Sequence, residues 1–331
     1  MTFPLTRSAD SSGAERERTP RGGGLHALFR KELADQLNSN RFLLLFALLA
    51  IAGVTGFYAA LSTIRDSSEE LDFLYLTLFT TSGSNLPSFA SFLAFLSPLM
   101  GIVLGFDAIS RERSQGTLNR LAAQPIHRDA ILNGKFLSGV AVIFLTIFAM
   151  GLLVLGAGIL SLGVPPKGEE VARIVAFLAL CGVYVSFWLA FSMVLSVWCR
   201  HAATAALGAI AIWIFLSFFF SMVAAAIASA AYPLDGIQGF YNQEANYNLE
   251  LMLNRISPYY LFSEAASTIL NPNVRSIGVI TMSQLSGAVA GYLPFGQSLL
   301  LVWPHLVCMV ALTAVCFAVS YIGFMRQEIR A

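Results

Sequence analysis

The chain has 331 residues, of which 56% are hydrophobic and only 12% charged, and its formal net charge is +1. Apolar residues in such long uninterrupted blocks exclude an ordinary soluble globule and predict a polytopic membrane protein. The near-neutral balance gives no overall field for nucleic acid. Information about function therefore lies in where the few charges sit.

Residues 1–24 are rich in Ser, Gly and Arg with no apolar stretch, which predicts a disordered cytoplasmic tail rather than a signal peptide. The pattern changes at Leu25. Leu25, Leu28, Phe29, Leu33 and Leu37 recur at steps of three and four, with Arg30, Lys31, Glu32, Asp35 and Gln36 between them. This predicts an amphipathic helix over 25–38 in the cytoplasmic membrane interface; the competing reading is a soluble helix packed on a partner.

The rest, 39–331, reads as a single six-span domain. Apolar spans are predicted at about 42–62, 89–107, 136–162, 172–198, 203–230 and 298–322, near or above the ~20 residues a bilayer requires. With both termini in the cytoplasm, 15 of the 20 Lys and Arg fall inside, whereas the acids divide nearly evenly. That is the asymmetry that orients membrane proteins. The fold class is all-α, with localisation in the cell membrane.

The outer connections differ in length. Between Arg65 and Ser88 an acidic start gives way to apolar residues, which predicts a short helix on the outer surface. VPPKGEEV at 164–171 is a tight turn. The third outer segment, 232–297, is much longer. In it Ser257-Pro258 reads as an N-cap followed by proline at the first helical position, and Asn271-Pro272 as a stop. The Gly-rich apolar stretch beyond is more like a re-entrant or gate element than a span, which requires burial by protein.

The main polar interruption is 107–135, DAISRERSQGTLNRLAAQPIHRDAILNGK, with five cations against three acids. Ser110 is predicted to cap a short helix that Gly116 ends, and Thr117 to cap a second one, stopped by Pro125. An ordinary solvated basic loop is the alternative. Glu112 follows span two by one helical turn, a place from which a carboxylate could take a charge-assisted hydrogen bond from a partner. A local partnership with Arg111, Arg113 or the start of the next helix is the other reading.

None of the six spans carries Asp, Glu, Lys or Arg near its middle, so an ion-coupled carrier is disfavoured. His305, near the outer end of span six, is the one titratable exception. His305, Cys308 and Cys316 make a conceivable soft-metal track; ordinary packing is the simpler reading. The cysteines (Cys181, Cys199, Cys308 and Cys316) avoid the long outer segment and imply no disulfide framework. No G-x-x-x-x-G-K-[ST] occurs, since Gly134-Lys135 is followed by Phe136. A membrane protein shaped for transport but lacking a driving site implies a partner that supplies energy.

Phe106, Ser110-Arg111-Glu112-Arg113, Gly116-Thr117-Leu118, Gln124-Pro125, Arg128 and Gly134-Lys135 together resemble the type-2 ABC transporter permease family. Ser114 stands where an acid is common there, and His127 where Ser or Thr usually caps the next span. The resemblance implies the membrane subunit of an exporter, with a cytoplasmic coupling helix between spans two and three that meets a separate ATPase. Glu112, Arg113, Gly116, Thr117, Leu118, Pro125 and Arg128 are its candidate coupling residues. It implies no catalytic residue, metal or cofactor in this chain, ATP and Mg being bound by the ATPase, and a second copy or a paralogous permease as the other partner. The family includes permeases for drugs, lipids and toxins, and one that serves maturation of the nitrous-oxide reductase copper centre. A non-transporting scaffold that transmits ATPase motion to an outer partner through 232–297 is the alternative function.

Overall fold

The computed structural model describes residues 23–66, 72–82, 86–114, 128–273 and 292–326. All but the last two residues of the tail expected over 1–24, most of the Gly-rich element expected after Pro272 and the end of the chain after Arg326 lie outside the described residues, and the first helix begins at Gly23, inside the expected tail. Among the described residues all regular structure is helical. In chain order the helices are α1 (Gly23–Leu37), α2 (Asn40–Asp66), α3 (Leu74–Thr80), α4 (Phe89–Gly105), α5 (Ser110–Ser114), α6 (Arg128–Leu162) and α7 (Gly168–Trp198). They continue with α8 (Ala202–Ile214), a π-helical turn (Phe215–Phe219), α9 (Phe220–Ala231), α10 (Gly236–Asn254), α11 (Pro258–Leu270) and α12 (Phe295–Arg326).

Six helical stretches are long and apolar enough to cross a bilayer: 40–65, 89–114, 129–162, 168–198, 202–231 and 295–326. Each of the six predicted spans falls on one of these, and most extend beyond the predicted ends because a helix continues past the apolar window into polar flanks. Span four, α7, is the axis of the bundle. Ile174, Phe177, Cys181, Tyr184, Val185, Trp188, Leu189 and Val197 along it are buried. Spans one, five and six keep broad apolar faces, with Leu44, Ile51, Leu207, Met222, Leu300 and Trp303 largely exposed. That is the surface a bilayer or a neighbouring subunit covers.

Close approach to the axis depends on small residues. A β-carbon at Gly101 of α4 would sit 2.5 Å from the Val185 carbonyl oxygen, and one at Gly105 would fall on the Ser192 hydroxyl. Glycine at both positions lets the α4 backbone pack directly on α7, as membrane helices without a hydrophobic driving force require.

The first outer helix differs from expectation. α3 does not lie on the outer surface: Tyr75, Leu76, Leu78 and Phe79 are buried, and Phe79 makes edge contacts with Phe89 and Phe177. Its first turn is held by the buried Glu170 carboxylate, which accepts from the Tyr75 amide at 2.8 Å. The acidic start of this loop hid an apolar stripe that covers the end of the core beside the start of α7.

The long third segment turns back through two helices, α10 packed along α9 and α11 packed on α7 and α12, and their connection forms the tip of a hairpin. Asn242 and Asn246 tie α10 to the preceding turn by donating to the Pro233 and Tyr232 carbonyls at 3.0 and 2.9 Å. At the hairpin tip Ser257 precedes Pro258 as expected, but its hydroxyl does not cap α11. It donates to the Leu216 carbonyl at 2.8 Å, in the π-helical turn about halfway along span five. A π-turn displaces carbonyls from the α-helical ladder, and this one is satisfied from outside the helix. The hairpin therefore reaches half the depth of the bundle and carries Arg255 and Glu264 with it. Charges that the sequence assigned to an outer loop sit among spans instead. Glu264 accepts from Arg255 at 2.9 and 3.0 Å and lies 2.7 Å from His305 Nε2. His305 is thus engaged by a carboxylate and buried, whereas Cys308 is exposed. Among the described residues no group of three metal-ligating side chains forms.

Candidate coupling site

The polar segment after span two begins with a kink. The Phe106 amide still donates to the Ile102 carbonyl, the Ala108 amide turns back to Gly105, and α5 then starts. Here the expected capping differs. Ser110 does not cap α5; its buried hydroxyl points back to the Phe106 carbonyl. The cap comes from α7, where Ser196 Oγ accepts from the Ile109 and Ser110 amides at 3.0 and 3.1 Å. A buried helix start needs acceptors for its free amides, and a residue 86 positions away supplies one. Arg113 completes the attachment by donating to the Val197 carbonyl at 3.2 Å, near the C-terminus of α7, where a cation is favoured.

Glu112 faces the base of span three. Its carboxylate lies 3.2 Å from Lys135 Nζ, in the second turn of α6, and Lys135 also donates to Glu32 of α1 at 3.1 Å. Lys135 and Glu32 are more than nine-tenths buried, and the Glu112 side chain is 18% exposed. Charges as enclosed as these persist only when paired. Beside the triad, Leu28 of α1 packs on Gly134, where a β-carbon would come within 3.0 Å of it. The buried face of α1 therefore runs through Leu28 and Glu32, rotated from the all-apolar stripe read in the sequence, and it rests on span three. Arg41 at the start of α2 pairs with Asp107 just after α4 and lies over the Phe106 ring.

The structure thus brings Glu112 and Arg113 into one polar anchor that joins α1, α5, α6 and α7. Gly116, Thr117, Leu118 and Pro125 lie outside the described residues, as does the side chain of Arg128, of which only the backbone at the start of α6 is described. Sequence reasoning named Lys135 and Glu32 without pairing them, and passed over Ser196. One signal was available: a lysine one turn inside a long apolar helix requires an acid, and α1 and α5 each offer one. Nothing in the sequence pointed to Ser196, because the partnership depends on how α4 crosses α7.

The model of the ABC-2 family transporter protein matches residues 26–329. A relative from Stutzerimonas stutzeri, described as a probable ABC transporter permease protein NosY, is 28% identical over 313 residues, covering 90% of this chain and 96% of its own. A Pseudomonas aeruginosa protein of the same description is 32% identical over 206 residues, covering 60% of this chain and 68% of its own. With the match running through all six spans and the anchor between spans two and three, this integral membrane protein belongs to the ABC-2 family of transporter proteins, as an ABC transporter permease.

Proposed function

We propose that the chain is the permease subunit of a type-2 exporter, with both termini cytoplasmic, and that it works with a separate ABC ATPase and a second permease subunit, either another copy or a paralogue. ATP and Mg belong to the ATPase. The substrate is moved by rearrangement of the spans, driven through residues 107–135.

The observation that carries this reading is the anchoring of that segment at both of its described ends. On one side α5 is fixed to α7 through Ser196 and Arg113; on the other, α6 is fixed to α5 and α1 through Lys135. A force applied between Ser114 and Arg128 reaches spans two, three and four through short buried contacts rather than through a slack loop. The family and the permease relatives support the partner set, and the Lys and Arg asymmetry of the sequence supports the orientation.

Within this reading Glu112 acts as a strut, because Lys135 holds its carboxylate; Arg113 anchors the other side. Gly116, Thr117, Leu118, Pro125 and Arg128 form the rest of the contact with the ATPase. Glu112→Gln keeps the side-chain shape and leaves Lys135 paired with Glu32, so the chain inserts and assembles. Its permease-dependent ATP turnover in vesicles falls several-fold. A Glu112→Gln complex that assembles and turns over like the parent would refute the assignment. One that no longer inserts would assign Glu112 to folding alone.

A further inference from the structure

At the end of the bundle where span one begins, α1, the first turn of α2 and the last turn of α4 enclose a groove of about 880 Å³. That lies within the range of small-molecule sites, roughly 300–1,000 Å³. Its charged lining is balanced: the four cations Lys31, Arg41, Arg111 and Lys135 face the four acids Glu32, Asp35, Asp107 and Glu112. Lys135, Glu32 and Glu112 neutralise one another deep in the wall. At the rim Lys31, more than half exposed, pairs with Glu32 and with the similarly exposed Asp35, and Arg41, also more than half exposed, pairs with the partly covered Asp107; such exposed pairs open at little cost to admit a ligand of both signs. Between span one and span two the floor is apolar, made by Phe42, Val103 and Leu104. Gln36 also lines the groove, and its side-chain oxygen is enclosed with no hydrogen-bond partner among the described residues.

We infer that this groove binds a zwitterionic phospholipid with a primary ammonium, of the phosphatidylethanolamine type, taken from the leaflet at this end of the bundle. Only the name of that leaflet, cytoplasmic, rests on the orientation proposed above. Position and floor indicate a lipid: the groove opens where two spans end, and Phe42, Val103 and Leu104 continue into the depth an acyl chain occupies. The balanced rim indicates the headgroup. A purely anionic lipid would meet as many acids as cations and gain no net attraction, whereas a dipolar headgroup satisfies both signs. Its phosphate falls to Arg41 and Lys31, since the guanidinium keeps donors beyond the one that Asp107 takes. Its ammonium falls to Asp35 and the Gln36 oxygen. That enclosed acceptor separates a primary from a quaternary ammonium: only the former donates hydrogen bonds, and the latter would need an aromatic cage where Phe42 is the one ring in the lining among the described residues.

The test uses the full chain purified with its ATPase, stripped of lipid in detergent and titrated with short-chain phosphatidylethanolamine, phosphatidylcholine and phosphatidylglycerol while binding is followed by native mass spectrometry. The ethanolamine lipid is expected to bind about tenfold more tightly than either of the others, equal to ~1.4 kcal/mol. Glycerophosphoethanolamine, which has the headgroup but no chains, is expected to compete poorly; equal competition would make the ligand a soluble one and overturn the lipid assignment. Arg41→Gln combined with Asp107→Asn should lower ethanolamine-lipid affinity about tenfold. Because that pair also joins spans one and two, Gln36→Leu serves as the milder variant: it should erase the preference for the primary over the quaternary ammonium. Three equal affinities, an undiminished preference in Gln36→Leu, or lipid binding that appears only once the ATPase is removed would each overturn the proposal, the last by giving the groove to the partner protein.

Discussion

Replacing Lys135 by methionine removes the one cation between two enclosed carboxylates, and the cost follows from the geometry. The ammonium sits 3.1 Å from Glu32 and 3.2 Å from Glu112. At an effective dielectric near 20, each contact is worth around 5 kcal/mol of gross Coulomb attraction. Most of that is offset by desolvation, so the gross figure is not the stability. The asymmetry between variants is the informative quantity. Lys135→Met leaves Glu32, with its side chain 8% exposed, dependent on the exposed Lys31 for charge balance, and brings two carboxylates together without their bridge. Breaking a buried pair in this way costs about 3–5 kcal/mol. Glu112→Gln leaves the Lys135–Glu32 pair intact and costs ~1 kcal/mol, the net worth of one hydrogen bond. Using the scale for domains of 150–250 residues, Lys135→Met lowers the thermal midpoint of the purified complex by roughly 6–20 °C and Glu112→Gln by only about 2–4 °C. Adding Glu32→Gln and Glu112→Gln to Lys135→Met removes the stranded charges and restores much of the loss. The assay is detergent-solubilised thermal unfolding followed by size exclusion. If Lys135→Met is as mild as Glu112→Gln, or if the triple variant is the least stable of all, the triad does not hold the anchor together.

Two further outcomes follow from buried hydrogen bonds. Ser196→Ala leaves the Ile109 and Ser110 amides without their acceptor, at about 1–3 kcal/mol each, so amide exchange at those positions should accelerate at least tenfold while exchange in mid-α7 stays unchanged. Arg173→Leu strands the Ile269 and Leu293 carbonyls that the fully buried guanidinium serves and should cost about 3–5 kcal/mol in thermal stability, with Arg173→Lys recovering only part of it.

Much of the architecture was legible because bilayer spans announce themselves by composition. Six apolar runs gave six membrane-spanning stretches, whereas Gly101 and Gly105, which let α4 meet α7, were not singled out. The depth of the outer hairpin was not legible. Asn246 and Asn254 make α10 look like a solvent helix, yet both are buried, and the tip seats on a carbonyl freed by a π-turn that no local pattern signals. The reading of span interiors as uncharged was right for the spans themselves and incomplete for the bundle, because Arg255 and Glu264 enter from outside the spans. The coupling segment shows the same division. Its residues were singled out from their own order, but a side chain's partner depends on helices brought together by the fold. For Glu112 the local alternative, a partner at the start of the next helix, is what the structure shows in Lys135, and Ser110 was given a capping role that Ser196 performs.

α7 connects the two ends of this bundle. At one end Ser196 and the Val197 carbonyl receive α5; at the other Glu170 holds the start of α3, while Arg173 grips the Ile269 carbonyl in the last turn of α11 and Ser298 at the start of span six. Between them Tyr184 stacks on Phe262 of α11 with ring centroids 4.5 Å apart. Packed cores shift between discrete arrangements rather than deforming continuously. A helix this enclosed, pinned by polar contacts at both ends, moves as a unit or not at all. In the proposed coupling, a displacement of α5 would pass along α7 to the hairpin. The hairpin itself is held along α9 and α12 by helix packing, and its tip by Ser257 on Leu216 and Glu264 on His305.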